Sequence, residues 1–74
     1  MQSPQSQLID IRVNGDLLQV PQAETLLSLL ERLKLDPARV AIELDRRIVK
    51  QPQWGSTRLE EGSAVEIVQF VGGG

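Results

Sequence analysis

Two alternating apolar runs flank the dipeptide Asn14-Gly15, and that arrangement leaves the amino-terminal part of the chain little conformational choice. Asn and Gly both tolerate positive φ, which the tight turn of a two-residue β-hairpin demands. Before the pair, Ile9, Ile11 and Val13 alternate with Leu8, Asp10 and Arg12; after it, Leu18 and Val20 form the inward pair of residues 17–20. A period of two puts one face of each run into a core and the other into solvent. Pro21 has no N–H to give to a ladder and ends the second strand.

Beyond Pro21 the period changes. Leu26, Leu29, Leu30 and Leu33 recur at helical spacing, with Ser28, Glu31, Arg32 and Lys34 on the other side and Thr25 in place as an N-cap. The pattern predicts an amphipathic helix of about three turns, ending near Leu35-Asp36 because Pro37 disfavours helical geometry in the residue before it. Such a leucine stripe could bind a partner helix, but a 74-residue domain needs it for its own core. Val40, Ile42 and Leu44 alternate into a third strand. Asp45-Arg46-Arg47 turns the chain into a short fourth strand at 48–50. Residues 51–59 read as a crossing loop with Trp54 against the sheet edge, and Glu60-Glu61-Gly62 as the turn before a last strand, 64–70, whose Val65 and Ile67 face inward.

The order β-β-α-β-β-β in a single small domain asks for one helix laid on one face of a sheet, an α+β two-layer solution. Among such folds the β-grasp sets the first and last strands side by side and parallel in the middle of a five-strand mixed sheet, and those are the two most apolar strands here. The expected organisation is a flexible leader at 1–7, the β-grasp domain at 8–71 and a glycine tail at 72–74. That tail would leave from the central strand.

Charge and composition remove several classes of function. A net charge of −2 gives no basic face for nucleic acid. Cys and His are both absent, so the chain offers no thiol chemistry, no metal-ligand spacing and no nucleophile held by a base. Glu43 and Asp45 lie on the same exposed side of a strand with nothing nearby to share acid–base work. Arg39, Arg46 and Arg47 could meet an acidic partner, although charged turn residues are usually only solvated. No long apolar segment suggests a membrane span and the polar leader is not a signal peptide, so a cytoplasmic, non-catalytic protein that is a monomer when free is expected.

Gly72-Gly73-Gly74 alone would read as a frayed end. With Ile48-Val49, Gln53-Trp54, Gly62 and the run Val65-Glu66-Ile67-Val68-Gln69-Phe70-Val71 leading into it, the chain resembles a ThiS-type sulfur carrier of thiamin biosynthesis, a ubiquitin-like β-grasp family, from Leu8 to Gly74. The longer leader and Lys50, where a proline is frequent, depart from the pattern without touching the tail. The resemblance implies that an E1-like adenylyltransferase uses ATP and Mg²⁺ to adenylate the Gly74 carboxylate. A persulfide sulfur donor then converts it to a thiocarboxylate, and thiazole synthase takes the sulfur. No cofactor would bind this chain itself. Gly72 and Gly73 would give the carboxylate access to a narrow channel, since they add no width.

Two other uses of the same tail stay open: the small subunit of molybdopterin synthase, and a ubiquitin-like modifier joined to lysines. A plain interaction domain is the further alternative. If Val65 and Ile67 face the helix, Val68 and Phe70 face outward, and with Ala41 on the neighbouring strand they would form a docking surface beside the tail. A register shifted by one residue, or Phe70 folded back over the sheet edge, would abolish that surface.

Overall fold

A computed structural model describes residues 7–71. The expected leader up to residue 6 and the tail glycines Gly72, Gly73 and Gly74 lie outside the described residues. Gln7 already belongs to the folded part, its carbonyl accepting the Gln22 N–H at 3.3 Å.

Strands β1 (Leu8–Val13) and β2 (Asp16–Pro21) pair antiparallel with Val13 opposite Asp16, so Asn14 and Gly15 make the whole turn. Both take positive φ, 51° and 88°. Helix α1 (Leu26–Leu33) opens on Thr25, whose hydroxyl accepts the Ser28 N–H at 3.1 Å while the Ser28 hydroxyl accepts the Thr25 N–H at 2.9 Å. Two of the helix's otherwise orphan donors are thereby satisfied. The helix stops earlier than Pro37 would require. Lys34 takes left-handed geometry at φ 61°, its N–H bonds the Glu31 carbonyl, and the Leu35 N–H reaches back to the Leu30 carbonyl at 2.9 Å. This wrap uses up the last free carbonyls locally and aims Leu35 at the core.

The sheet runs β2-β1-β5-β3-β4. β5 (Ala64–Gln69) lies in the middle, parallel to β1 through Arg12 opposite Ala64 and Val13 opposite Val65, and antiparallel to β3 (Val40–Leu44) from Val40 opposite Gln69 to Leu44 opposite Val65. β4 (Arg47–Val49) closes the far edge. The expected β-grasp arrangement is therefore present, with α1 on one face. Ile9, Ile11, Val20, Val40, Ile42, Val65 and Ile67 of the sheet and Leu26, Leu29 and Leu30 of the helix are buried together. No helix among the described residues is long and apolar enough to cross a membrane.

The crossing segment departs most from expectation. Gln51–Ser56 is a 3-10 helix, and Trp54, expected at the sheet edge, is only 3% exposed within the main core. It keeps its link to the edge strand through the indole N–H, which donates to the Val49 carbonyl at 2.7 Å. Leu59, to which the sequence assigns no face, is buried beside it. The loop is stitched to the start of α1 by Leu26 N–H to the Thr57 carbonyl (3.0 Å) and Leu59 N–H to the Glu24 carbonyl (2.9 Å). The Glu24 side chain is buried and takes two bonds from Arg32, at 2.6 and 3.1 Å. Glu24's hydrogen bond and negative charge in turn raise the Arg32 pKa above its ordinary value.

The β3–β4 turn is made by Asp45 and Arg46, both left-handed at φ 51° and 70°. Asp45 tolerates this, and its carboxylate accepts the Ala64 N–H at 2.9 Å while its own N–H donates to the Ala64 carbonyl at 2.8 Å. Arg46 has no such compensation and carries a Cβ into left-handed space, which costs about 1–2 kcal/mol. Glycine would remove that strain, and the greater freedom its unfolded chain loses on folding offsets part of the gain. Arg46→Gly is expected to stabilise the fold by about 0.5–1 kcal/mol in urea unfolding.

Candidate functional site

β5 carries the candidate site at its carboxyl-terminal end. The Phe70 N–H donates to the Arg39 carbonyl at 2.8 Å, so β5 remains anchored to the β3 side one residue beyond its last ladder pair. Strand alternation then divides the side chains. Val65 and Ile67 go into the core, while Val68 and Phe70 stand on the open face at 59% and 55% exposure. The expected register is present, and Phe70 is not folded back over the edge. Ala41 is exposed and pairs directly with Val68; Phe70 lies diagonally from it, opposite the residue before β3. Of the predicted site residues, the fold thus brings Ala41, Val68 and Phe70 together. Gly72, Gly73 and Gly74 follow within four residues of Phe70 in the chain and lie outside the described residues.

This face continues beyond what the sequence indicated. A depression of about 420 Å³ is lined by Ala41, Ile42, Glu43, Ile48, Glu66 and Val68. Ile48, opposite Glu43 on β4, is 75% exposed and extends the apolar surface to the sheet edge. The sequence places it in a short strand and gives it no face. The signal that settles it is Val49, its neighbour, whose carbonyl is held by the indole of the buried Trp54 and which packs on the core, leaving Ile48 to point away. Glu43 and Glu66 sit directly opposite one another, and like charges so placed on a sheet are mildly destabilising. The patch is therefore apolar with an acidic border. Asp45, read from sequence as an exposed companion of Glu43, instead holds the first residue of β5.

A second depression, about 360 Å³, is lined by Ile9, Gln22, Arg58, Leu59, Glu60 and Glu61. It adjoins the turn that enters β5, at the opposite end of that strand from Phe70. Among the described residues no group of three or more Asp, Glu, His or Cys could hold a metal ion.

Known proteins share this architecture. The crystal structure of the thiamine biosynthesis protein ThiS from Geobacter metallireducens superposes with a TM-score of 0.77 at 29% identity, covering 89% of this chain and 100% of that one. A stretch of the thiazole synthase of Magnetococcus marinus is 34% identical over 64 residues, 86% of this chain. The chain spans only 20% of that relative's length. The protein ycf40 of Porphyra purpurea is 32% identical, with 89% of this chain matching 93% of it. The ThiS family matches residues 6–74, nearly the entire sequence, and the chain belongs to that family.

Proposed function

We propose that this protein is a sulfur carrier of thiamin biosynthesis and that the Gly74 carboxylate is the group that carries sulfur. The observation that bears most weight is the placement of Val68 and Phe70, exposed at the end of the central strand and immediately before the glycines. A carrier needs a rigid body that partners can grip and a narrow reactive end that they can reach. The hydrogen-bonded end of β5 supplies the first. Gly72-Gly73-Gly74 supplies the second, because three residues without side chains can enter a channel closed to any other sequence.

The chemistry follows from the inertness of a carboxylate. Its oxygen must become a leaving group before sulfur can displace it, and adenylation by an E1-like enzyme does this with the ATP and Mg²⁺ of that enzyme. A persulfide sulfur then attacks the acyl carbon and releases AMP. Cleavage of the resulting sulfur–sulfur bond by a thiol leaves the terminal thiocarboxylate and a disulfide between the two sulfur partners. Transfer of that sulfur to an acceptor, followed by hydrolysis, restores the carboxylate. This chain contributes no acid, base or metal to any step; it is the substrate of each enzyme in turn.

Thiazole synthase is the acceptor that the relatives favour. In Magnetococcus marinus and Paramagnetospirillum magneticum, proteins of that name contain a stretch resembling this chain, amounting to 20% and 19% of their length. Carrier and acceptor in one polypeptide raise the effective concentration of each for the other. That association supports thiamin over molybdenum-cofactor synthesis, and detection of a free thiocarboxylate instead of isopeptide conjugates would separate both from a protein modifier.

Intact-mass analysis after incubation with the adenylating enzyme, ATP and a persulfide donor is expected to show one terminal oxygen replaced by sulfur. An unchanged mass with a competent enzyme would reject the carrier role. Gly73→Ala is expected to lower the yield of thiocarboxylate at least tenfold while leaving the unfolding midpoint unchanged, since one Cβ meets the channel wall within a residue of the reacting carbon. Phe70→Asp should likewise abolish detectable complex formation with the adenylating enzyme in titration calorimetry without unfolding the domain; unaltered affinity would remove Phe70 from the docking surface.

A further inference from the structure

The parallel ladder between β1 and β5 is short, with only Arg12–Ala64 and Val13–Val65 in register. Beyond it, β1 has no more residues to offer, because the chain turns back at Asn14-Gly15 into β2. The bonds of Phe70 N–H to the Arg39 carbonyl and of Asp45 N–H to the Ala64 carbonyl show that even-numbered residues of β5 direct their backbone groups towards β3. The odd-numbered residues therefore direct theirs towards β1. Val65 is met there by the Asn14 backbone, whose N–H donates to the Val65 carbonyl at 2.8 Å. Ile67, two residues further along, finds no strand beside it.

The Asn14 side chain fills that place. Its Oδ1 accepts the Ile67 N–H at 2.7 Å and its Nδ2 donates to the Ile67 carbonyl at 3.1 Å. A carboxamide carries one acceptor and one donor in a plane, as a peptide unit does, so it can stand in for one more residue of the ladder. Aspartate can reproduce only the acceptor, and glycine neither. Asn14 thus has two separable roles. Its backbone makes the left-handed turn, and its amide extends the grip of the hairpin along β5 to within three residues of Phe70.

We propose that Asn14 is a positioning residue for the carrier cycle, its side-chain amide holding the outgoing end of β5 so that Phe70 meets the partner in one orientation. This rests on the sulfur-carrier reading above for its functional consequence, and on the two hydrogen bonds for its structural one. Releasing the amide leaves Ile67 and the residues after it held from the β3 side alone. The partner must then order residues that the free protein no longer orders, and that cost falls on formation of the complex instead of on the chemistry that follows.

The test uses Asn14→Gly, which keeps the turn because glycine accepts left-handed geometry, and Asn14→Asp, which keeps the acceptor and places an anion against the Ile67 carbonyl. In the free chain, amide exchange at Ile67 is expected to accelerate about tenfold or more in Asn14→Gly and less in Asn14→Asp, which keeps the acceptor, with the exchange of Ile11 and Val20 unchanged in both. In steady-state adenylation assayed well below the unfolding temperature, KM for the carrier is expected to rise about tenfold, the effect of one residue's ordering, with kcat within about twofold. A merely structural role would lower the unfolding temperature and leave KM where it was. Unchanged Ile67 exchange, or accelerated exchange with a wild-type KM, would overturn the proposal. Failure of the wild-type chain itself to be adenylated would overturn the carrier reading instead, and Ile67 exchange would then decide the structural role of Asn14 alone.

Discussion

The contact between the first and last strands is the one on which the rest of the structure hangs. β2 is bonded within the sheet only to β1, β4 only to β3, and β3 reaches the remainder only through β5. Without the seam between β1 and β5 the sheet would separate into an amino-terminal hairpin and a carboxyl-terminal meander. Each would bury too little apolar surface to persist alone. The seam has few backbone bonds, and it is side-chain burial that makes it secure: Ile11 and Val65 are almost fully enclosed beneath α1. Forming it closes a loop of about fifty residues, an entropic cost that grows only slowly with length but that must be met before the contacts form. The two hairpins and the well-capped helix between them shorten the search, since each folds on local information.

That locality explains what could be read in advance. Asn14-Gly15, the leucine spacing after Thr25 and the alternation from Val40 to Leu44 are short-range patterns, and the elements they imply are present almost residue for residue. The parallel central pair is what the β-grasp arrangement implies, and the apolar first and last strands agree with it. The end of α1 lies earlier than its sequence suggests because Pro37 is a visible stop signal, whereas Lys34 entering left-handed space is not written in any side-chain preference. Trp54 lies deeper than its sequence suggests, and Leu59 has no face in the sequence, for a different reason. The 51–59 segment has no period, so its burial depends on where the start of α1 and Glu24 happen to meet it in space.

The candidate site shows the same division. Val68 and Phe70 were legible as an outward pair by counting from the core residues Val65 and Ile67, and Ala41 by its place on the neighbouring strand. Ile48 escaped notice because a three-residue strand is too short to display alternation. The opposition of Glu43 and Glu66 is a matter of register between strands more than twenty residues apart, which no local pattern encodes. Asp45 is instructive in the same way. The sequence sets it beside Glu43 on an exposed strand face, yet it receives the backbone N–H of Ala64 and fixes where β5 begins.

The placement of β5 has a mechanical consequence. Any pull on the chain end, such as withdrawal of the terminus from an enzyme channel, is a load along the axis of that strand. The ladder bonds to β3 run across this axis, and the bonds to β1 and Asn14 hold the strand from its other side. Such bonds are loaded in shear and must yield together, whereas a strand peeled from an edge gives way one bond at a time. The domain is thereby built as a handle, in which a load applied along β5 is shared by bonds on both sides of the strand at once.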